Sequence, residues 1–124
     1  MDINTINVIT LAYLGDSIYE VYIRNSLIKK GIAKVSDLQK EAVKYVSAKA
    51  QANILTDLIE KNTFTDEELD IIKRGRNYKR NTHPSNTDII TYKMSTGFEA
   101  LIGYLYLENK TTRLQEILSH IEVK

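Results

Sequence analysis

Residues 95–107 read STGFEALIGYLYL, and residues 11–20 read LAYLGDSIYE. The first is apolar around the whole circumference of a helix apart from Glu99 and a few small polar groups, so it reads as a helix buried on all sides. The second sets Asp16 among aliphatic and aromatic residues in the same way. No basic residue accompanies either acid within its segment. An ionised carboxylate withdrawn from water is costly unless an opposite charge or a coordinated cation meets it, so each acid calls for a partner from elsewhere in the chain or from solution. A divalent metal held between the two helices is the first candidate.

Outward from these segments the chain continues to read as helix. One proline and five glycines in 124 residues leave little material for turns, while alanine, leucine, lysine, glutamate and isoleucine recur at helical spacing. Ser36 with Gln39 makes a capping-box pattern ahead of a helix, or a broken pair of helices, that reaches about Lys61. Thr65 with Glu68 and Thr112 with Gln115 repeat the pattern before two further helices. Residues 81–86 contain the only proline and read as a loop, after which Thr87 can cap a helix running to about Glu108. Period-2 alternation is too brief anywhere to support a sheet. The expectation is one all-α domain over residues 1–124, without internal repeat or linker.

The absence of cysteine excludes a disulfide framework, a thiolate zinc site and a cysteine nucleophile, and it fits a reducing compartment. The N-terminal MDINTINVITLAYL has an acid at position 2, no basic n-region and only a short apolar run at 8–14. That pattern predicts neither a signal peptide nor a membrane span, and a cytoplasmic location is the expectation. Seventeen lysines and arginines against sixteen acids give a formal charge of +1, so any nucleic-acid binding depends on where the charges lie.

At about 100° per residue, positions 9, 12, 13, 16, 20, 23 and 27 share one helical stripe, which Asp16 and Glu20 interrupt. On a continuous helix the two acids are i,i+4 neighbours that repel unless a cation bridges them. Gly15 would let another backbone or a ligand approach closely. The same residues also fit a helix break, with Asp16 or Ser17 as a cap and Ser17 with Glu20 as a capping box. Glu99 lies on the stripe Asp88, Tyr92, Ser95, Glu99, Gly103, Tyr106. Gly97 and Gly103 flank it at helix positions where glycine costs about 1 kcal/mol relative to alanine, which predicts close packing, with the Gly15 region as a candidate partner. An ordinary ion pair of Glu99 with Lys93 or an arginine is the alternative to a metal.

LAYLGDSIYE resembles the signature of the ribonuclease III catalytic domain, and GFEALIGYLYLE resembles that family's second acidic segment. The resemblance is closest to the short form, Mini-ribonuclease III, which lacks a double-stranded RNA-binding domain. It extends through RGRN at 74–77, Asn86-Thr87-Asp88 and YKMSTGFEALIGYLYLE, so it covers nearly the whole chain. It implies a helical, homodimeric Mg2+-dependent endoribonuclease, with Mn2+ able to substitute. Such an enzyme cuts opposite strands of double-stranded RNA at its two sites and leaves 5'-phosphate and 3'-hydroxyl ends. It further implies a role in maturing 23S ribosomal RNA precursor. Carried over by position, Asp16 and Glu99 become the catalytic metal ligands, Glu20 a further candidate ligand, and Tyr13, Leu14 and Ile18 candidate dimer-interface residues.

Two family acids do not carry over. Ala12 stands four positions before Asp16, and Thr96 three before Glu99, where longer members of the family have carboxylates. Both departures are consistent with the short branch. The metal shell is then thinner, to be completed by water, backbone or phosphate oxygens, and one or two ions per site are both open.

Lys73, Arg74, Arg76, Lys79 and Arg80 crowd eight positions, with Asn77 among them and His83 following, while Asp66, Glu67, Glu68 and Asp70 lie upstream. Acids at a helix start and bases at its end suit the helix dipole, and such a run is often only a solvated face. The density of cations and the apparent loop character of Gly75, Asn77 and Asn81 favour phosphate contact instead, which on A-form RNA means recognition of shape more than of sequence. Lys29 and Lys30 read as helix-end capping and His120 as a surface residue. Tyrosines 13, 19, 22, 104 and 106 read as core or dimer packing. Two competing readings keep the fold without the chemistry: a catalytically weak RNA-binding or ribosome-associated scaffold, and a plain dimerisation module.

Overall fold

A computed structural model describes residues 2–79 and 88–124. Arg80, the expected loop at 81–86 with His83, and Thr87 lie outside the described residues. After a 3-10 turn at Ile3–Thr5, the helices are α1 (Val8–Lys29), α2 (Val35–Val46), α3 (Ala48–Glu60), α4 (Asp66–Arg76), α5 (Ile89–Leu107) and α6 (Thr111–Ser119). No strand occurs among the described residues, so the all-α expectation holds.

The ends of these helices follow local chemistry, not always at the residues the sequence suggested. Asn7 opens α1 by accepting from the Ile9 amide at 2.9 Å. The helix then runs unbroken through Gly15, which rules out Asp16 or Ser17 as a mid-segment cap. The Ser36 box does not form, because α2 starts at Val35 behind Lys34, with no side-chain cap. A single extended residue, Ser47 (φ −63°, ψ 155°), separates α2 from α3, and its Oγ accepts from the Ala50 amide at 3.2 Å. Thr65 and Glu68 do form the reciprocal capping box of α4. Asp88, not Thr87, caps α5 by accepting from the Thr91 amide at 2.9 Å. α6 begins at Thr111, ahead of the Thr112–Gln115 pattern and without a side-chain cap.

α5 is the central helix: from Ser95 to Leu105 every residue except Glu99 is buried. It packs most extensively against α1, then α4 and α3. Two glycine pairs set these crossings. A Cβ on Gly15 would overlap the Glu99 carbonyl oxygen and lie 2.9 Å from the Gly103 amide nitrogen, while one on Gly103 would overlap the Leu11 carbonyl. A Cβ on Gly75 would lie 2.8 Å from the Gly97 Cα, and one on Gly97 would lie 2.6 Å from the Ile72 carbonyl oxygen. Gly75 is thus a packing residue inside α4, which corrects its reading as loop. The helix axes approach until backbone meets backbone, and that contact offsets what glycine costs within a helix.

On α1 the buried stripe is Val8, Leu11, Ala12, Gly15, Tyr19, Ile23 and Leu27. Tyr13 is 80% exposed and Asp16 is exposed, so the predicted stripe was rotated past the true core face. Tyr19 and Phe98 join α1 to α5 edge to face at 5.4 Å between ring centroids, and the Tyr19 hydroxyl donates to the Tyr45 carbonyl at 2.9 Å. Burial pushes the Tyr19 phenol well above its ordinary pKa.

Glu68 is 5% exposed, not a solvated first-turn acid as the charge run suggested. Arg113 of α6 grips it with two bonds, Nε to Oε2 at 2.8 Å and Nη2 to Oε1 at 2.7 Å, and Nη2 also donates to the Thr63 carbonyl at 2.6 Å. Burial raises the Glu68 pKa, but the Arg113 guanidinium and the Thr65 amide outweigh it and hold the carboxyl below its ordinary value. Nearby, the Tyr104 hydroxyl donates to Glu67, and the Lys110 ammonium lies 5.2 Å from the centroid of the Tyr104 ring. These contacts tie α4, the end of α5 and the start of α6 together. Among the described residues no helix is long and apolar enough to cross a membrane.

Candidate active site

The α1–α5 crossing brings the two sequence-predicted acids to one place. Gly15, the residue before Asp16, presses on the backbone of Glu99 itself, so the main chains bearing the two carboxylates touch. Asp16 is exposed and has no ion pair among the described residues. Glu99 is half-buried. Glu20, one turn beyond Asp16 on the same helix, is held by Arg24, whose Nε lies 3.1 Å from Glu20 Oε2. Arg24 thus supplies the positive charge that the i,i+4 pair of acids called for, which makes Glu20 a weaker candidate ligand than the other two.

Gln51 of α3, which the sequence reading passed over, lies beside Glu99. It is 2% exposed. Its Nε2 donates to the Val46 carbonyl at 3.0 Å and to Glu99 Oε2 at 3.4 Å. Its Oε1 is buried and has no partner among the described residues. An acceptor left so costs about 1–3 kcal/mol, which no packing role requires. A signal existed: Gln51, Leu55 and Leu58 form the buried stripe of α3, and Gln51 alone on it is polar.

Among the described residues no group of three or more Asp, Glu, His or Cys residues converges. What the crossing offers is a donor set of one kind: two carboxylates, with an orphaned amide oxygen next to one of them. Hard oxygen donors fit Mg2+ or Mn2+ and not a soft metal, and Mg2+ commonly takes only one or two protein carboxylates while keeping several waters. The residues present therefore fit such an ion.

The basic cluster falls at the end of α4. Lys73 and Arg76 are exposed, Arg74 is half-buried, Asn77 is the C-cap, and Lys79 follows exposed. Arg76 Nε donates to Asn77 Oδ1 at 3.5 Å. Gly75 seats the backbone of this turn on Gly97 of α5, two residues, or about 3 Å along the helix axis, before Glu99. Tyr78 is half-buried against the core. Lys30 caps α1 and His120 caps α6 at the surface, as the sequence suggested.

On the outer side of the same two helices, Leu14, Ser17, Ile18, Val21 and Tyr106 line a shallow apolar cavity of about 300 Å³. Val21 is 67% and Tyr106 52% exposed. Exposed apolar surface of this kind is where soluble proteins meet partners.

The ribonuclease III domain profile matches residues 9–110. The chain is 48% identical over 119 residues to the Mini-ribonuclease 3 of Streptococcus pneumoniae, covering 96% of this chain and 93% of that protein. It is 47% identical over 119 residues to the Mini-ribonuclease 3 of Staphylococcus aureus, covering 96% and 89%. For the Mini-ribonuclease 3 of Brevibacillus brevis the identity is 50% over 117 residues, covering 94% and 86%. A crystal structure of a Fusobacterium nucleatum protein, 33% identical, superposes with a TM-score of 0.85 over 96% of this chain and 95% of that one. On the matched profile and on relatives similar along almost their whole length, this chain belongs to the ribonuclease III domain family, among its Mini-ribonuclease 3 members.

Proposed function

We propose that this endoribonuclease is a single catalytic domain that hydrolyses double-stranded RNA with Mg2+ or Mn2+ held by Asp16 and Glu99. The observation that supports the reading is the backbone contact of Gly15 with Glu99, which sets the main chain next to Asp16 against the residue bearing the second hard-oxygen donor. Held by Asp16 and Glu99, such an ion would supply activation of a water nucleophile and stabilisation of charge on the departing oxygen, with 5'-phosphate and 3'-hydroxyl ends as the products expected from the family resemblance. The chain's own share is to place the carboxylates, through the glycine crossing, and to hold the RNA backbone. Lys73, Arg74, Arg76, Asn77 and Lys79, with Arg80 and His83 beyond them in sequence, serve the second task by meeting phosphates and 2'-hydroxyls. Glu20 takes part only if Arg24 releases it.

The apolar surface around Tyr13, Leu14 and Ile18, extended by Val21 and Tyr106, supports a homodimer in which two sites cut opposite strands. The family resemblance supports 23S ribosomal RNA precursor as the natural substrate and the cytoplasm as the place of action.

The test is cleavage of a defined RNA duplex by the wild type and by Asp16→Asn, each in Mg2+ and in EDTA, with the product ends identified. Cleavage by the wild type in Mg2+ alone, lost in Asp16→Asn at unchanged folding, is expected. Equal rates for Asp16→Asn and wild type would remove Asp16 from the site. Metal-independent binding without cleavage would mark a scaffold.

A further inference from the structure

Four polar side chains are buried among the described residues: Gln51, Glu68, Ser95 and Thr96. Three have an ordinary explanation. Glu68 is taken up by Arg113 and Thr65, and the hydroxyls of Ser95 and Thr96 donate to the Tyr92 carbonyl of their own helix at 2.8 and 3.0 Å. Gln51 alone keeps a buried atom without a partner, Oε1.

Its surroundings fix which way the amide faces. Both neighbours of Nε2, the Val46 carbonyl and the Glu99 carboxylate, are acceptors, so the reverse orientation would set three oxygens against one another. The anchor on Val46 exists because of Ser47. In an uninterrupted helix the Val46 carbonyl would accept from the Ala50 amide, but Ser47 Oγ takes that amide at 3.2 Å. The freed carbonyl accepts one N–H of Gln51 instead, and the other N–H reaches Glu99 Oε2.

We propose that Gln51 is a positioning residue for Glu99. Hung on the α2–α3 junction, it holds the Glu99 carboxylate in its ion-binding orientation, and its buried Oε1 accepts from a proton donor that enters with the hydrated divalent ion. The inference rests on the reading of Asp16 and Glu99 as ion ligands. Partners that orient a ligating carboxylate are half of a metal site's design, and their loss typically weakens affinity roughly 10- to 100-fold.

The test is direct Mn2+ binding, followed by the electron paramagnetic resonance of the free ion, for four proteins: wild type, Gln51→Met, Ser47→Ala and Asp16→Asn. Methionine keeps the length of glutamine and loses the amide; Ser47→Ala leaves Gln51 in place and returns the Val46 carbonyl to the helix. The unfolding midpoint in EDTA establishes that each variant is folded. Expected is a Kd for Mn2+ raised roughly 10- to 100-fold in Gln51→Met, with a smaller rise in Ser47→Ala and an unchanged KM for duplex RNA at saturating Mn2+. A folded Gln51→Met that binds Mn2+ as the wild type does, while Asp16→Asn is weakened, would overturn the role of Gln51 and leave the ion site standing. If Asp16→Asn also binds normally, the ion site itself falls, and the proposal with it. Should Gln51→Met fail to fold, a wild-type Kd in Ser47→Ala overturns the proposal on its own.

Discussion

Gly15 and Gly103 meet across the α1–α5 crossing with no side chain between them. A Cβ on Gly103 would lie 3.2 Å from the Gly15 amide nitrogen, and one on Gly15 2.9 Å from the Gly103 amide nitrogen. Main chain against main chain cannot yield as a rotamer does. Gly15→Ala is therefore expected to lower stability by about 3 kcal/mol or more, the upper range of overpacking, and to lose cleavage as Asp16 and Glu99 are forced apart. Urea denaturation measures the first effect. A variant with the wild-type midpoint would mean that the helices are not in backbone contact.

Arg113→Met removes the partner of a nearly buried carboxylate. Breaking a buried pair typically costs about 3–5 kcal/mol, and the 27% exposure of the Arg113 side chain points to the low end, about 3 kcal/mol. Glu68→Gln on the Arg113→Met background should recover part of that loss, because it removes the stranded charge. A double-mutant cycle by chemical denaturation checks this, and strictly additive losses would argue against the pair.

The same carboxyl gives a pH signature. The folded pKa of Glu68 lies below its ordinary value of 4.5, so ionised Glu68 contributes its full stability above about pH 4.5 and loses it as pH falls through the depressed folded pKa. The stability gap between wild type and Glu68→Gln should therefore be constant near neutrality and narrow below pH 4.5. Denaturation midpoints at a series of pH values read this directly. A gap that widens in acid would have the wrong sign.

Arg76→Glu and Lys79→Glu are expected to weaken cleavage of duplex RNA and to flatten its salt dependence, by about one unit of log–log slope for each phosphate left without its cation. Cleavage rates at subsaturating RNA across a range of KCl concentrations give the slope. An unchanged slope would remove the end of α4 from the RNA interface.

Tyr13→Glu with Val21→Glu places charge on exposed apolar positions without disturbing the core, since these side chains are 80% and 67% exposed. Sedimentation velocity should show the wild type as a dimer and the double variant as a monomer of unchanged stability. A wild-type monomer, or a dimer that survives both charges, would move the interface elsewhere.

Much of this arrangement was legible in the sequence. The helix contents of residues 95–107 and 11–20 were plain from apolar density, and glycines around an acid announced a close crossing before its partner was known. The Thr65–Glu68 box formed as written even though Arg113 also grips Glu68, because Oε1 accepts from the Thr65 amide and from Arg113 together. The other two boxes did not, because such patterns name residues able to cap without fixing where the helix starts: α2 begins at Val35 and α6 at Thr111, each one residue ahead of the expected cap and without a side-chain cap. The rotated stripe on α1 has a related cause. Tyr13 is apolar enough to pass for core, and only the position of α5 decides that Gly15 and Tyr19 face inward instead. What local pattern could not supply was the partners: Arg113 for Glu68 and Glu99 for Gln51 lie 45 and 48 residues away in sequence.

The junction between α2 and α3 is a single residue long. At about 100° of rotation per residue, one residue inserted after Ser47 would swing the side chain of position 51 to another face of α3, away from Glu99. Insertions and deletions are cheaper in exposed turns such as residues 30–31, where they cost little more than loop entropy. At the junction, by contrast, the chain counts: chain length here is itself a functional parameter, and spacing, not only residue identity, carries information from the α2–α3 hairpin to the site.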